Sequence, residues 1–252
     1  MVVLEARGLN KSFGAVVAAA DITIAFRERE VVGIIGANGA GKTTFINMVT
    51  GYLKPDTGTI LYRDRPITGL TSREITRLGI HRSFQVPQIF AELTVFDNVL
   101  AALGIAAAIR PGFWRPLRTP ELSASADTIL ERYHIADYHD QMAGALPQGV
   151  RKLLDIAMAM VGDTSILLLD EPTSGISADQ KMNEMDTVMA ALKAADVTVL
   201  FVEHDMEVVE RYAQRVVAFY DGSIIADGAP EAVLNDTDVR THVIGPELHR
   251  RA

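Results

Sequence analysis

The stretch VVGIIGANGAGKTTF, residues 31–45, constrains the fold of this chain more than any other feature. Gly36, Gly41, Lys42 and Thr43 have the spacing of a phosphate loop, Gly-x-x-x-x-Gly-Lys-Thr. A β-branched run precedes the loop and apolar residues at helical spacing follow it, which predicts a strand, a loop and a helix. This context favours nucleotide binding over the alternative, a glycine-rich turn without chemical function.

Each part of the loop has a predicted role in holding phosphate. Glycines let backbone N–H groups turn toward phosphate oxygens, and the N-terminus of the following helix adds a favourable dipole. Lys42 is expected to reach the β- and γ-phosphates, and the Thr43 hydroxyl to reach Mg²⁺. The loop residues predicted to bind ATP are Gly36, Ala37, Asn38, Gly39, Ala40, Gly41, Lys42, Thr43 and Thr44.

Two later strand ends carry residues suited to phosphate chemistry. Asp170 ends the apolar run ILLLD and is expected to hold Mg²⁺, directly or through water, while Glu171 polarises the attacking water. The alternative is two carboxylates that merely end a strand in solvent. His204 follows the run VTVLFV, at the strand end where open α/β sheets place ligands, although a structural histidine is the alternative.

The order of apolar patterns predicts an α/β fold. The first third contains strand-like runs, interrupted after Gly41 by a helical stripe that includes Phe45, Met48, Val49, Tyr52 and Leu53. Residues 71–160 have mainly helical patterns, with capping-box spacing at Thr71 and Glu74. Strands and helices then alternate, which indicates a mainly parallel sheet covered on both faces.

Composition excludes several classes of function. Apolar residues make up 48% of the 252 residues, enough for a large core, and the net charge of −8 argues against a nucleic-acid partner. The absence of cysteine excludes disulfides, thiol catalysis and thiolate metal sites. No export signal is recognisable, and the apolar run 99–109 is too short to span a membrane. We therefore expect any membrane contact to be made through a partner.

Five motifs in a fixed order resemble the nucleotide-binding subunits of ABC transporters. They are Phe13 in KSFG, the loop GANGAGKTT, Gln85 in RSFQ, the strand ILLLDE and His204 in VEHD, and the resemblance covers essentially the whole chain. Within that family the chain is most similar to the ATP-binding subunits of branched-chain amino acid importers. The segments RSFQVPQIFAELTVFDNVLAAL, EPTSGI, FVEHDMEVV and IIADGAPEAVLNDTDV carry this closer likeness.

The resemblance implies a single ABC ATPase domain over residues 1–252. Its fold would be an α/β phosphate-loop NTPase core with a mainly parallel sheet and an N-terminal antiparallel β-subdomain, formed by residues 1–85 and 160–252. A helical subdomain, residues 86–159, would be inserted between the glutamine loop and the signature region.

The resemblance also implies roles for single residues. Phe13 would stack on adenine, with packing in the core as the alternative. Gln85 would sense Mg²⁺ and the attacked water and link to the membrane subunit, Glu171 would be the general base, and His204 would contact the γ-phosphate. The expected catalytic residues are Lys42, Gln85, Glu171 and His204, and the expected Mg²⁺ ligands are Thr43, Gln85 and Asp170.

The segment LPQGV departs from the family pattern Leu-Ser-Gly-Gly-Gln. In this family two subunits close head to tail, and each such helix start faces the γ-phosphate of the other subunit. Here the signature residues are Leu146, Pro147, Gln148, Gly149 and Val150, of which only Leu146 and Gly149 keep the expected identity. Loss of the serine hydroxyl removes a hydrogen bond to charged phosphate worth about 1.5–3 kcal/mol. The alternative is that Pro147 simply begins a helix and the serine is dispensable.

These departures favour a heterodimer over a homodimer, because a partner ATPase with an intact signature would compensate for the depleted one.

The expected cofactors are ATP and Mg²⁺, and the other expected partners are integral membrane permease subunits and, indirectly, a periplasmic or extracellular solute-binding protein. The expected location is the cytoplasmic face of the cell membrane. Alternative functions are an ABC exporter or lipid-extraction ATPase, a soluble ABC ATPase without a membrane partner, and a small-molecule kinase.

Two further surfaces have open interpretations. Ser177 stands where the family has Asp or Asn at the subunit junction, but its capping-box spacing with Gln180 allows a local N-cap role instead. A basic cluster precedes Gln85 and predicts either a solvated face or a contact surface for a membrane subunit; its members are Arg73, Arg77, His81 and Arg82. Trp114, in a proline-rich loop, could serve the same contact.

Overall fold

The computed structural model of the chain describes residues 1–83, 88–107 and 117–245. Gln85 and Trp114 lie outside the described residues, so their roles stay predictions. The chain forms two compact units. The first combines Met1–Ile80 with Val197–Ala252, and the second is His81–Asp196.

The N-terminal part of the first unit begins with long antiparallel strands. Its sheet has the strand order β2 (Val16–Arg27), β1 (Val2–Phe13), β4 (Thr57–Tyr62) and β5 (Arg65–Pro66), with antiparallel pairing between all neighbours. This is the antiparallel β-subdomain expected from the sequence. The elements of this part are β1 (Val2–Phe13), β2 (Val16–Arg27), β3 (Val31–Gly36), α1 (Lys42–Val49), β4 (Thr57–Tyr62), β5 (Arg65–Pro66) and α2 (Ser72–Arg77).

Helix α1 is shorter than its apolar stripe predicts. Its stripe is buried at Phe45, Met48 and Val49, but Tyr52 is 57% exposed, so the predicted continuation of the helix to Leu53 is wrong. The reason is Gly51, whose φ of 73° is left-handed and whose Cβ, if present, would lie 2.7 Å from a carbonyl oxygen. Such a glycine just after the last helical residues ends a helix.

The predicted capping box at the start of α2 is confirmed. The Thr71 hydroxyl accepts from the Glu74 N–H, and the Glu74 carboxylate accepts from the Thr71 N–H at 2.8 Å. Two backbone donors without helical partners are satisfied in this way, which defines where α2 begins.

The second unit is mainly helical, as predicted for most of residues 71–160. Strands β6 (Ile80–Ser83) and β7 (Ile166–Asp170) are hydrogen-bonded neighbours, and β7 is completely apolar and buried until its final aspartate. Met185, Met189 and Leu192 form a buried stripe on the helix Ala178–Ala194. The elements are β6 (Ile80–Ser83), α3 (Val95–Ala106), α4 (Pro120–Arg132), α5 (Gln148–Ala159), β7 (Ile166–Asp170) and α6 (Ala178–Ala194).

Ser177 is the N-cap residue of α6, but the predicted capping box is wrong. Its side chain makes no cap hydrogen bond; its backbone oxygen accepts from the Gln180 N–H at 3.0 Å instead. Ser177 therefore contributes to the start of α6 through its backbone carbonyl and not through its hydroxyl.

The C-terminal part returns to the first unit and completes a second sheet there. Within this unit the strand order is β10 (Ser223–Gly228), β9 (Arg215–Tyr220), β3 and β8 (Thr198–Val202). Strand β3 is parallel to both β8 and β9, and β10 is antiparallel to β9. All residues of β3 and β8 are buried, as in sheets covered on both faces, which confirms the α/β class. The elements are β8 (Thr198–Val202), α7 (Met206–Tyr212), β9 (Arg215–Tyr220), β10 (Ser223–Gly228), α8 (Pro230–Leu234) and α9 (Thr237–Val239).

None of the helices in the described ranges is both long and apolar enough to cross a membrane.

Candidate nucleotide site

The phosphate loop joins the end of β3 to the start of α1, as the motif predicts. Gly36 has a φ of 156°, and a Cβ there would lie 2.6 Å from the carbonyl oxygen of Phe219. Gly41 is left-handed at 100°, and a Cβ there would lie 2.5 Å from the carbonyl oxygen of Ala18. Any side chain at either position would displace backbone, so both glycines are required by the turn itself.

Lys42 places a positive charge inside this turn. The residue is 6% exposed, and its Nζ donates to the carbonyl oxygens of Gly36 at 2.6 Å and Ala37 at 3.0 Å. An ammonium group held among backbone groups at the start of a helix creates a strongly favourable position for phosphate. The loop therefore fits the phosphates of a nucleotide.

The rest of the loop leaves polar atoms accessible to a ligand. Asn38, Gly39 and Thr43 are exposed, and Thr44 is half-buried. Ala40 is buried and closes the turn: its N–H donates to the Ala37 oxygen at 3.1 Å, and its own oxygen accepts from a glycine N–H on the β9–β10 turn. The exposed Thr43 hydroxyl is an oxygen donor of the kind that Mg²⁺ prefers.

His204 lies at the same sheet edge as the phosphate loop. Strands β3 and β8 pair in parallel, with Ile34 opposite Val202, so their carboxyl ends coincide. The phosphate loop follows one strand and exposed His204 follows the other. Between them, buried Glu203 donates its N–H to the Ile34 oxygen at 3.3 Å, which fixes the chain just before His204.

Phe13 is half exposed at the end of β1. Its side chain is 52% exposed, so the alternative of packing in the core is wrong. Lys11 Nζ lies 5.6 Å from the ring centroid, and the neighbouring hairpin residues Val16 and Val17 are also exposed. An exposed ring supported by a cation is suited to stacking on a flat aromatic ligand.

Asp170, in the second unit, is held by an arginine at the end of the neighbouring strand. Arg82 Nη2 donates to Asp170 Oδ2 at 2.5 Å, and the two side chains are 8% and 15% exposed. Asp170 is therefore not a carboxylate that merely ends a strand in solvent. A carboxylate has a second oxygen with which it can hold a cation or its water, so the residue fits the predicted Mg²⁺ role.

The same pairing corrects the predicted basic surface. Arg73 and Arg77 are exposed on α2, but Arg82 is nearly buried against Asp170. The role of Arg82 as part of an exposed contact surface is therefore wrong, because its charge is used inside the second unit.

Glu171 adopts an unusual backbone conformation directly after β7. Its φ is 48°, in the left-handed region that costs a residue other than glycine roughly 1 kcal/mol or more. Its carbonyl oxygen accepts from the Ser174 N–H at 3.1 Å, which closes a turn. Strain of this kind is often found where a side chain must point in one particular direction.

The signature residues form the start of α5, fixed by contacts within the second unit. Leu146 is buried, Pro147 is the N-cap, and Gln148, Gly149 and Val150 are the first helical residues. Gln148 Nε2 donates to the Ser174 oxygen at 3.3 Å.

Glu184 of α6 lies behind Gly149. A Cβ on Gly149 would overlap the end of the Glu184 side chain as it stands, so any other residue there would require Glu184 to move. Burial raises the pKa of Glu184, and its Oε2 has no hydrogen-bond partner. The residue therefore places an unsatisfied carboxylate directly under the helix start.

Replacing Glu184 by glutamine should increase stability at neutral pH but not in acid. Because the folded-state pKa is raised, ionisation destabilises the folded state as pH rises above the ordinary carboxyl value of 4.5. We expect the free energy of unfolding of Glu184→Gln, relative to the unsubstituted chain, to increase between pH 4 and pH 7 in denaturant titrations. Glu131→Gln, at an exposed position of α4, is the control for loss of the same charge from the surface. A difference that stays constant with pH in Glu184→Gln would contradict the burial argument.

Sequence reasoning missed two buried polar residues near the glutamine loop. Asp155, 6% exposed, accepts from Ser83 Oγ at 2.5 Å and from the Gln88 N–H at 2.8 Å. Burial raises the pKa of Asp155, while these two hydrogen bonds oppose that shift. Asn98, which is fully buried, accepts a hydrogen bond from the Phe90 N–H and donates one to the Phe90 oxygen. The available signal for Asp155 was an acidic residue within the apolar stripe LLDIA of α5.

Comparisons with known proteins agree with this geometry. Residues 19–174 match the profile of the ABC transporter family. The chain is 36% identical over 251 residues to the high-affinity branched-chain amino acid transport ATP-binding protein LivG of Salmonella typhimurium, covering 96% of this chain and 97% of the relative. It is 34% identical to BraF of Pseudomonas aeruginosa, a protein of the same description, with 96% and 98% covered.

A solved structure supports the same assignment. The crystal structure of an ATP-binding cassette of an ABC transporter in its ADP conformation has a TM-score of 0.83 and 32% identity, covering 95% of this chain and 97% of that one. The fold, the phosphate loop and the full-length similarity lead to one conclusion: this chain belongs to the ABC transporter family, as an ATPase of the group that includes LivG and BraF.

Proposed function

We propose that this chain is the Mg²⁺-dependent, ATP-hydrolysing subunit of an importer for branched-chain amino acids or a related small polar solute. The observation that carries the proposal is the phosphate loop with buried Lys42, at the same sheet edge as exposed His204. The names of the LivG and BraF relatives support the solute class.

Each step of ATP binding and hydrolysis is assigned to particular residues. The loop N–H groups and Lys42 bind the β- and γ-phosphates, and Phe13 stacks on adenine. Thr43, Gln85 and Asp170 would hold Mg²⁺, which would supply positive charge at the phosphates. Glu171 accepts a proton from the attacking water. The water oxygen bonds to the γ-phosphorus as the bond between the γ-phosphorus and the ADP oxygen breaks. His204 contacts the γ-phosphate and orients it, so the products are ADP, phosphate and a proton.

An exposed apolar patch in the second unit supports a membrane-subunit partner. Phe90, Leu93 and Met142 are 50%, 37% and 53% exposed. They lie on two backbone segments that bond to each other, with the Ala143 N–H donating to the Leu93 oxygen at 2.9 Å. Phe90 and Leu93 follow Gln85 closely in sequence. The patch suits an apolar cytoplasmic segment of a permease, which would hold this chain at the cytoplasmic face of the membrane.

The start of α5 supports an asymmetric dimer. Pro147 offers neither a hydroxyl nor an N–H, so Gly149 and the helix dipole remain to face the γ-phosphate of a second subunit. A second ATPase with an intact signature would restore the missing contact at one of the two sites. A heterodimer is therefore favoured over a homodimer, and the solute-binding protein contacts the assembly only through the permease.

The test is hydrolysis and uptake by the transporter assembled with and without a second ATPase subunit. With the permease present, we expect this chain alone to hydrolyse ATP about ten- to hundredfold more slowly than together with a subunit carrying Leu-Ser-Gly-Gly-Gln. Pro147→Ser should recover part of that difference, and Ala145→Ser, at an exposed neighbouring position, should recover none. Equal rates with and without the second ATPase would contradict the asymmetry. Failure of any permease subunit to co-purify would contradict the transport role.

A further inference from the structure

One buried carboxylate joins three parts of the second unit. Asp155 lies in the middle of α5, the helix that begins at the signature residues. Its Oδ2 accepts from the hydroxyl of Ser83, the fully buried last residue of β6, and its Oδ1 accepts from the backbone N–H of Gln88. Both oxygens of the carboxylate are thus used to hold other segments of the chain.

The two segments held by Asp155 are the two sides of the glutamine loop. Ser83 precedes this loop and Gln88 follows it, and both donate to the same carboxyl group. Gln85 lies between them in sequence.

Neighbouring contacts make the two held ends rigid. Before the loop, Arg82 bonds to Asp170 at 2.5 Å. After it, Asn98 accepts from the Phe90 N–H at 2.8 Å and donates to the Phe90 oxygen at 3.0 Å. The Asp155 carboxylate is therefore connected to segments that are themselves held by part-buried hydrogen bonds.

We propose that Asp155 is a positioning residue that fixes Ser83 and Gln88, on the two sides of the glutamine loop, to the signature helix, and that ATP hydrolysis depends on this attachment. The inference rests on the proposed function, since it gives Asp155 a kinetic effect only through Gln85. A carboxylate suits this role because it can accept from two donors at once, and hydrogen bonds to an ionised acceptor are the stronger kind. Asparagine keeps the size of the side chain but has only one accepting oxygen.

The kinetic test is a double-mutant cycle between Asp155 and Gln85 in the full-length chain assembled with its permease. We expect Asp155→Ala to lower kcat about ten- to hundredfold with little change in the KM for ATP, because a misplaced reacting group affects turnover and the phosphate loop is unchanged. Asp155→Asn should have an intermediate effect. In the Gln85→Ala background, Asp155→Ala should lower kcat no further. Equal reductions in both backgrounds would overturn the proposal, and Asp163→Ala, at an exposed position, is the control.

Hydrogen exchange tests the attachment without requiring ATPase activity. In the full chain, Asp155→Ala should make the Gln88 amide exchange at least about tenfold faster, since that N–H loses its acceptor. Unchanged exchange at Gln88 would overturn the proposal.

Should Asp155→Ala fail to fold, Ser83→Ala removes one of the two hydrogen bonds and should give the same kinetic pattern with a smaller amplitude. If the unsubstituted chain hydrolyses no ATP, the proposed function fails, and the exchange result still decides whether Asp155 holds the loop.

Discussion

Replacing Glu171 by glutamine should lower kcat for ATP hydrolysis by about 10²- to 10⁴-fold while leaving ATP affinity nearly unchanged. Glutamine has the same shape and can occupy the same backbone position, with a φ of 48°, but it cannot accept a proton from water. The expected loss therefore falls on turnover alone. Steady-state hydrolysis and equilibrium binding of labelled ATP, measured on the same preparation, separate the two quantities.

A matched substitution makes this result specific. Glu210→Gln, at an exposed position of α7, removes the same charge from the chain and should leave kcat within about threefold, as expected for a surface change without partners. If Glu171→Gln also stayed within that range, another group would have to accept the proton, and the assignment of Glu171 as general base would be wrong.

Replacing Lys42 by methionine should weaken ATP binding by at least about thirtyfold. The ammonium group is buried in the phosphate loop, and truncating one partner of a buried charge pair costs about 2–5 kcal/mol. Methionine fills a similar volume but offers no N–H donor, so the affinity should fall even at saturating Mg²⁺. Equilibrium binding of labelled ATP at a fixed Mg²⁺ concentration measures the change.

The same variant should also be less stable without nucleotide. Lys42 Nζ donates to the Gly36 and Ala37 oxygens, and leaving such acceptors without a donor costs about 1–3 kcal/mol. Lys54→Met, at an exposed position, is the control for loss of a positive charge and should retain ATP binding. Undiminished affinity in Lys42→Met would refute the placement of phosphate in this loop.

Local patterns predicted the fold well because each of them acts over a few neighbouring residues. The phosphate loop is contiguous in sequence, so its strand, turn and helix could be predicted directly. The capping box of Thr71 and Glu74 depends on a spacing of three residues and was confirmed. The end of α1 was missed because the apolar stripe continues past Gly51, where the backbone turns left-handed and leaves the helix.

The parts of the site that sequence reasoning missed depend on distant pairs. Arg82 and Asp170 are 88 residues apart, and Ser83 and Asp155 are 72 apart. Periodicity indicates which face of a helix or strand is buried, but it does not specify which polar side chain meets which. Arg82 was therefore placed on a surface, and Asp155 was not recognised at all.

The glutamate beneath Gly149 restricts how the signature region can be redesigned. Alanine, serine or any larger residue at position 149 would need the space that the end of the Glu184 side chain fills, so Glu184 would have to adopt another rotamer. A change at position 149 therefore also moves a carboxylate on α6. By contrast, Pro147 and Gln148 are exposed, so those two sites accept substitution one at a time.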